Sequence, residues 1–153
     1  MQRREFLGHG CRAGAMTALV AAGWWPAMAA AEQWNRIAFE AKTFEDVLKA
    51  LGGTDAKASG DVVLVAPEIA ENGAVVPLQL SSRSPATDML AVLVEKNPNV
   101  LAAVFEVPDG TVADFQTRVK MAQTSNVFVL ARSGGRYLYA VKEIKVTLGG
   151  CGG

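Results

Sequence analysis

The chain has 153 residues, half of them hydrophobic and a fifth charged, which is enough for one domain with a proper core and excludes wholesale disorder. Lysine plus arginine and aspartate plus glutamate both number 15, so there is no basic excess to bind nucleic acid. One histidine (His9) and two cysteines (Cys11 and Cys151) leave few ligands for a zinc or copper centre, so neither metal nor other cofactor is expected.

The N-terminus reads as an export signal. Gln2-Arg3-Arg4-Glu5-Phe6-Leu7 places paired arginines ahead of an apolar run from Ala13 to Trp25, and Pro26 and Ala27-Met28-Ala29-Ala30-Ala31 follow. A basic segment, a modest apolar segment and a small-residue cleavage site describe a secretory leader and not a membrane span. The twin arginines suit the Tat route, although Gln2 and Gly8 depart from its commonest pattern. Residues 1–31 are therefore expected to be a Tat-type signal peptide cleaved after Ala29 or Ala31, with a periplasmic product that neither spans nor binds a membrane. Its removal takes away Arg3, Arg4, Arg12 and Glu5, so the 15 basic and 15 acidic residues become 12 and 14, a net charge of −2. Cys11 and His9 leave with it. The mature chain then has a single cysteine and no imidazole for the usual nucleophile–base pairing, which argues against a self-sufficient enzyme.

Residues 32–148 form the body. Between Glu32 and Gly53 the pattern is helical: Phe44, Val47, Leu48 and Leu51 recur on one face, Thr43 with Asp46 starts the helix and Gly52 stops it. Trp34, Ile37 and Phe39 extend this region upstream. After Gly60 the period becomes that of strands. Asp61–Ala66 and Val75–Leu80 flank Glu71-Asn72-Gly73, which predicts a hairpin at Asn-Gly. Ser81–Asp88, with Pro85, reads as a longer crossing loop. Leu90–Glu95 and Val100–Val107 flank Asn97-Pro98-Asn99. Asp109-Gly110 leads into Val112–Met121, whose alternation gives one wet face. Val127–Ala131 and Arg136–Leu148 are joined by Ser133-Gly134-Gly135, and Leu138, Ala140, Ile144, Val146 and Leu148 form an apolar row that anchors the last strand. About seven short strands after a short N-terminal helix predict an all-β sandwich.

Residues 149–153 are the chemical part. Gly149, Gly150, Gly152 and Gly153 surround Cys151, and glycine's freedom makes this a slender arm with nothing wider than backbone beside the sulfur. A bare glycine tail needs no cysteine, and exposed free thiols are normally avoided. A lone cysteine in an exported protein points to a reactive thiol or to intermolecular pairing. No cation or helix start close in sequence lowers the thiol's pKa, which suits a passive handle activated by other proteins.

Val-Thr-Leu-Gly-Gly-Cys-Gly-Gly at the C-terminus resembles the end of SoxY, the sulfur carrier of the periplasmic Sox thiosulfate-oxidation system, and the twin-arginine start and strand-rich body are similar too. The resemblance implies an immunoglobulin-like sandwich, with Cys151 the site of covalent sulfur attachment. It also implies a leaderless SoxZ subunit as heterodimer partner, and visits from a c-type cytochrome, a sulfatase-like hydrolase and a sulfane dehydrogenase. The alternative is a structural role, in which Cys151 makes a stable intermolecular disulfide. A one-cysteine redox enzyme would lack a resolving cysteine and a local base.

The remaining polar groups read as structural. Glu45-Asp46 point in different directions and are expected to be solvated; Glu68 and Glu71, near a turn, are expected to be surface charge, with contact to a partner the alternative. Arg132 and Arg136 flank a hairpin turn and are expected at a solvated tip, with contact to an anion the alternative. Tyr137 and Tyr139 fall on one strand face, in the core or at a partner interface.

Overall fold

The computed structural model describes residues 35–147. They begin with α1 (Arg36–Glu40) and α2 (Phe44–Ala50). Nine strands follow among the described residues: β1 (Ala56–Ala58), β2 (Val62–Val65), β3 (Ile69–Ala70), β4 (Val76–Ser82), β5 (Thr87–Val94), β6 (Leu101–Glu106), β7 (Asp114–Val119), β8 (Ser125–Ser133) and β9 (Arg136–Val146). No helix among these residues is long and apolar enough to cross a membrane.

The helical region is broken in two. Ala41 takes extended geometry (φ −62°, ψ 145°) and so ends α1, while Asn35 Oδ1 caps its start by accepting from the Ala38 N–H. Thr43 caps α2, its hydroxyl accepting from the Asp46 N–H at 3.1 Å. Of the upstream residues, Ile37 and Phe39 are in α1, and Trp34 lies outside the described residues.

The strands form two sheets. The larger has the order β1-β9-β8-β5-β6, with β3 also paired to β9, and the smaller is β2-β4-β7. Neighbouring strands are antiparallel except that β1 and β3 lie parallel to β9. These two short strands account for the excess over the expected seven.

The β8–β9 hairpin turns on Gly134 and Gly135, both with positive φ (55° and 76°), the geometry of a two-residue primed turn. Asn72-Gly73 behaves differently from its reading as a hairpin turn. β2 and β4 do pair antiparallel, from Val62↔Ser82 to Val65↔Gln79, but the chain between them detours so that β3 can join β9. Gly73 meets a close approach: its carbonyl accepts from the Met121 N–H at 2.7 Å, and a Cβ there would stand 2.5 Å from the Met121 carbonyl oxygen. The expected long crossing loop is also shorter, since β4 runs to Ser82 and β5 starts at Thr87. Hydroxyls hold it: Ser82 pairs with Thr87 (2.8 Å) and Ser84 with the buried Ser133 (2.9 Å).

Two cores result. Between the sheets lie Val62, Val76, Leu78, Leu80, Leu90, Val92, Val94, Val127, Val129 and Ile144, with Phe105 and Phe115 stacked at 4.9 Å against them. On the other face of the larger sheet, Met89, Ala91, Leu93, Leu101, Leu130 and Tyr137 pack under Ala38, Val47 and Leu48 of the helices. β5 is therefore buried on both faces, which is why its sequence is an unbroken apolar run instead of an alternation. β7 covers one face only and alternates as expected.

Candidate functional site

The expected site of the chemistry, Cys151, lies outside the described residues together with Leu148, Gly149, Gly150, Gly152 and Gly153. The structure describes what they are attached to. β9 carries the chain to Val146, and Thr147 is the last residue before them.

This strand end is clamped from both sides. On one side β3 runs parallel to it, with Ile69 opposite Lys145 and Ala70 opposite Val146. The Lys145 N–H donates to the Glu68 carbonyl at 2.9 Å, and the Thr147 N–H donates to the Ala70 carbonyl at 3.1 Å. On the other side Ser125 begins the pairing with β8 opposite Ile144, and the Val146 N–H donates to the Thr124 hydroxyl at 3.0 Å. Beneath, Ala70 and Ile144 are buried and Val146 packs on the inter-sheet core. The loops that supply these contacts are themselves tied. Asn97 donates to the Lys120 carbonyl (2.7 Å) and accepts from the Ala122 N–H (3.2 Å), while the Ser125 hydroxyl accepts from the Lys96 N–H (3.0 Å). A strand end with hydrogen bonds on both edges and a core beneath is a fixed point. From Thr147 to Cys151 is four residues, a reach of about 13 Å at about 3.3 Å per residue.

The expected apolar row holds where it is described: Leu138, Ala140, Ile144 and Val146 face the inter-sheet core. Tyr137 and Tyr139 face the other core. The Tyr137 hydroxyl donates to the Leu51 carbonyl, and Tyr139 packs edge-on against Phe44 at 5.7 Å. Arg132 is part of an ion-pair cluster, its Nε 2.7 Å from Asp88 and its guanidinium 3.8 Å from Glu106. The hydrogen bond to Asp88 outweighs partial burial and raises the Arg132 pKa above its usual value. Arg136, Glu45, Asp46, Glu68 and Glu71 are exposed, and no group of three or more metal-ligating side chains occurs among the described residues.

Two parts of the clamp were missed in the sequence. β3 is two residues long, too short to show a period, and nothing local distinguishes Thr124 from any loop threonine.

The model of the family described as "Sulfur oxidation protein SoxY" matches residues 48–151, about two thirds of the chain, a span that includes Cys151. The chain belongs to the SoxY family. Its structure is similar to that of the sulfur carrier protein SoxY from Chlorobium limicola f. thiosulfatophilum, with a TM-score of 0.62 and 31% identity, covering 68% of this chain and 94% of that one. The immunoglobulin-like sandwich expected of a SoxY is the fold observed. Two variants of the superoxide reductase (neelaredoxin) of Ignicoccus hospitalis are similar in fold. Their TM-scores are 0.51 and 0.50 and their identities 16% and 17%, with 65% and 56% of this chain and 87% and 79% of theirs covered. At that identity the likeness extends to the sandwich alone. Comparison with curated protein sequences gives no match.

Proposed function

We propose that this SoxY-family protein is a covalent sulfur carrier that holds thiosulfate-derived sulfur on Cys151 and presents it to other enzymes. The observation that carries this reading is a cysteine set among four glycines, four residues beyond Thr147, which follows a strand end fixed on both edges. A fixed origin and a short slender arm keep the cargo close to the body yet let the sulfur enter a narrow active site. A structural disulfide would need the cysteine but not the glycines.

The chemistry follows from the thiol. Oxidative coupling forms an S–S bond between Cys151 and the outer sulfur of thiosulfate, and the thiol proton is lost as two electrons pass to a c-type cytochrome. Hydrolysis by a sulfatase-like enzyme then releases sulfate and leaves a persulfide, with no change in electron count. A sulfane dehydrogenase oxidises the outer sulfur to a sulfonate still bonded to Cys151, taking oxygen from three waters and passing six electrons to a cytochrome-type acceptor. A second hydrolysis by the sulfatase-like enzyme releases sulfate and regenerates the carrier thiol. The protein's part is to keep the intermediates attached between these steps, so it is a substrate of enzymes and not one itself. We place it in the periplasm, exported by the twin-arginine route as a complex with a SoxZ-like subunit.

Intact mass of the protein isolated without reductant, before and after a thiol reductant, tests the reading. Reducible adducts of sulfur or thiosulfate size on the C-terminal peptide are expected. Cys151→Ser should lose them completely and keep the melting temperature of the parent. Only a protein–protein disulfide at Cys151, even with thiosulfate and the partner enzymes supplied, would favour the structural role.

A further inference from the structure

The outer face of the larger sheet is only half covered. The helices lie over Met89, Ala91, Leu93, Leu130 and Tyr137, and Phe44 reaches Phe128 at 5.0 Å and Tyr139 at 5.7 Å. Beyond these rings, among the described residues, the cover stops. Val141 stands opposite Phe128 in the β8–β9 register and so points to the same face, and Glu143 and Lys145 follow by alternation. Ile69, opposite Lys145, joins them. Val141 is 49% exposed and Ile69 56%, whereas Ile144 and Ala70, on the other side of the same strands, are buried. A bare strip thus runs along β9 to the residue from which the arm departs.

The length of the arm decides what must cover this strip. Cys151 lies within about 13 Å of Thr147, so an enzyme that takes the sulfur into its active site has to press its own surface against the surroundings of Thr147. Ile69 is one of those surroundings, its neighbour Ala70 accepting the Thr147 N–H. Val141 is six residues up the strand, about 20 Å away. A standard interface of roughly 800 Å² per partner is about 30 Å across, so one that has Thr147 near its edge and extends along β9 takes in Val141. The composition points the same way. Two aliphatic side chains interrupted by Glu143 and Lys145 make a small mixed surface, suited to brief encounters, whereas permanent subunit interfaces are larger and more continuously apolar.

We infer that the strip of Ile69, Val141, Glu143 and Lys145 is the docking surface for the c-type cytochrome that loads Cys151, which meets it with an apolar patch bordering the mouth of its active site. This rests on the carrier reading above. It is tested with the carrier and its SoxZ-like subunit, thiosulfate and the purified c-type cytochrome of the Sox system, following adduct formation on Cys151 by intact mass. The variants are Ile69→Asp, Val141→Asp and, as a control, Val112→Asp. Val112 is 79% exposed and precedes the start of β7, whereas the opposite end of that strand leads to Met121 beside Gly73. Ile69→Asp and Val141→Asp should each lower kcat/KM for loading roughly tenfold through KM, as truncated interface anchors do. The control should load like the parent, and reaction of Cys151 with a small thiol reagent should be the same in all. Equal loading of all variants, with the parent loading normally, would overturn the docking surface and leave the carrier reading intact. Loss of pairing with the SoxZ-like subunit on size exclusion would assign the strip to the permanent partner and overturn it as well. A parent that takes up no sulfur would bring down the carrier reading, and the docking surface with it.

Discussion

The two ends of β9 are held by different physics. Just after its exposed first residue, side chains are packed: Tyr137 is buried between sheet and helices, its hydroxyl donating to Leu51, and Tyr139 shares an aromatic cluster with Phe44 and Phe128. Its last residues lie at the margin, where Lys145, Val146 and Thr147 are fixed mainly by backbone N–H groups donating to Glu68, Thr124 and Ala70. Side-chain burial secures the first end and hydrogen bonding the second. Burial resists unfolding of the whole domain, and a few edge hydrogen bonds govern local opening. The proposed carrier arm follows the end where local opening is the relevant risk.

The contrast can be broken most forcefully from the buried side. Leu130, opposite Tyr139 in the β8–β9 register, is fully buried under the helices. Leu130→Ala should cost about 2–5 kcal/mol in urea unfolding, the range for a large-to-small change in a packed core. Gly73→Ala acts on the other end. Its methyl would sit 2.5 Å from the Met121 carbonyl oxygen and 2.9 Å from Val146 Cγ1, and the carbonyl cannot swing away as a side chain would. We expect a loss of about 1–3 kcal/mol, with faster amide hydrogen exchange at Lys145 and Thr147 than the global change explains. Tyr137→Phe removes one hydrogen bond from the buried end, for about 1 kcal/mol, and should leave exchange at Thr147 unaltered relative to global stability. Thr124→Val is the mildest. It takes the acceptor from the Val146 N–H and should raise exchange at that amide selectively, with global stability changed by about 0.5–1 kcal/mol. If Tyr137→Phe opened Thr147, or Thr124→Val lowered stability as much as Leu130→Ala, the two ends would not be separable.

Much of the sandwich was legible because its elements announce themselves locally. Thr43 with Asp46 gave the start of α2, Gly134-Gly135 the last hairpin, and the alternation from Ala113 to Met121 the wet-faced β7. The misread connection at Asn72-Gly73 shows where local signals stop. The dipeptide does turn the chain, with Asn72 Oδ1 accepting from the Ala74 N–H, but its glycine answers to Met121, 48 residues away. β1 and β3 were invisible for the same reason, since three and two residues make a strand only when β9 is already there to pair with.

The candidate site divides in the same way. The proposed carrier group, Cys151 among its glycines, is a matter of covalent sequence: no other cysteine follows Cys11, and no folding is needed to see it. That its root is fixed, and that a bare strip of sheet runs up to it, depends on residues far apart in the chain. Ile69, Thr124 and Val141 acquire their roles only through strand pairing, because register is set by contacts between segments and not by either segment alone.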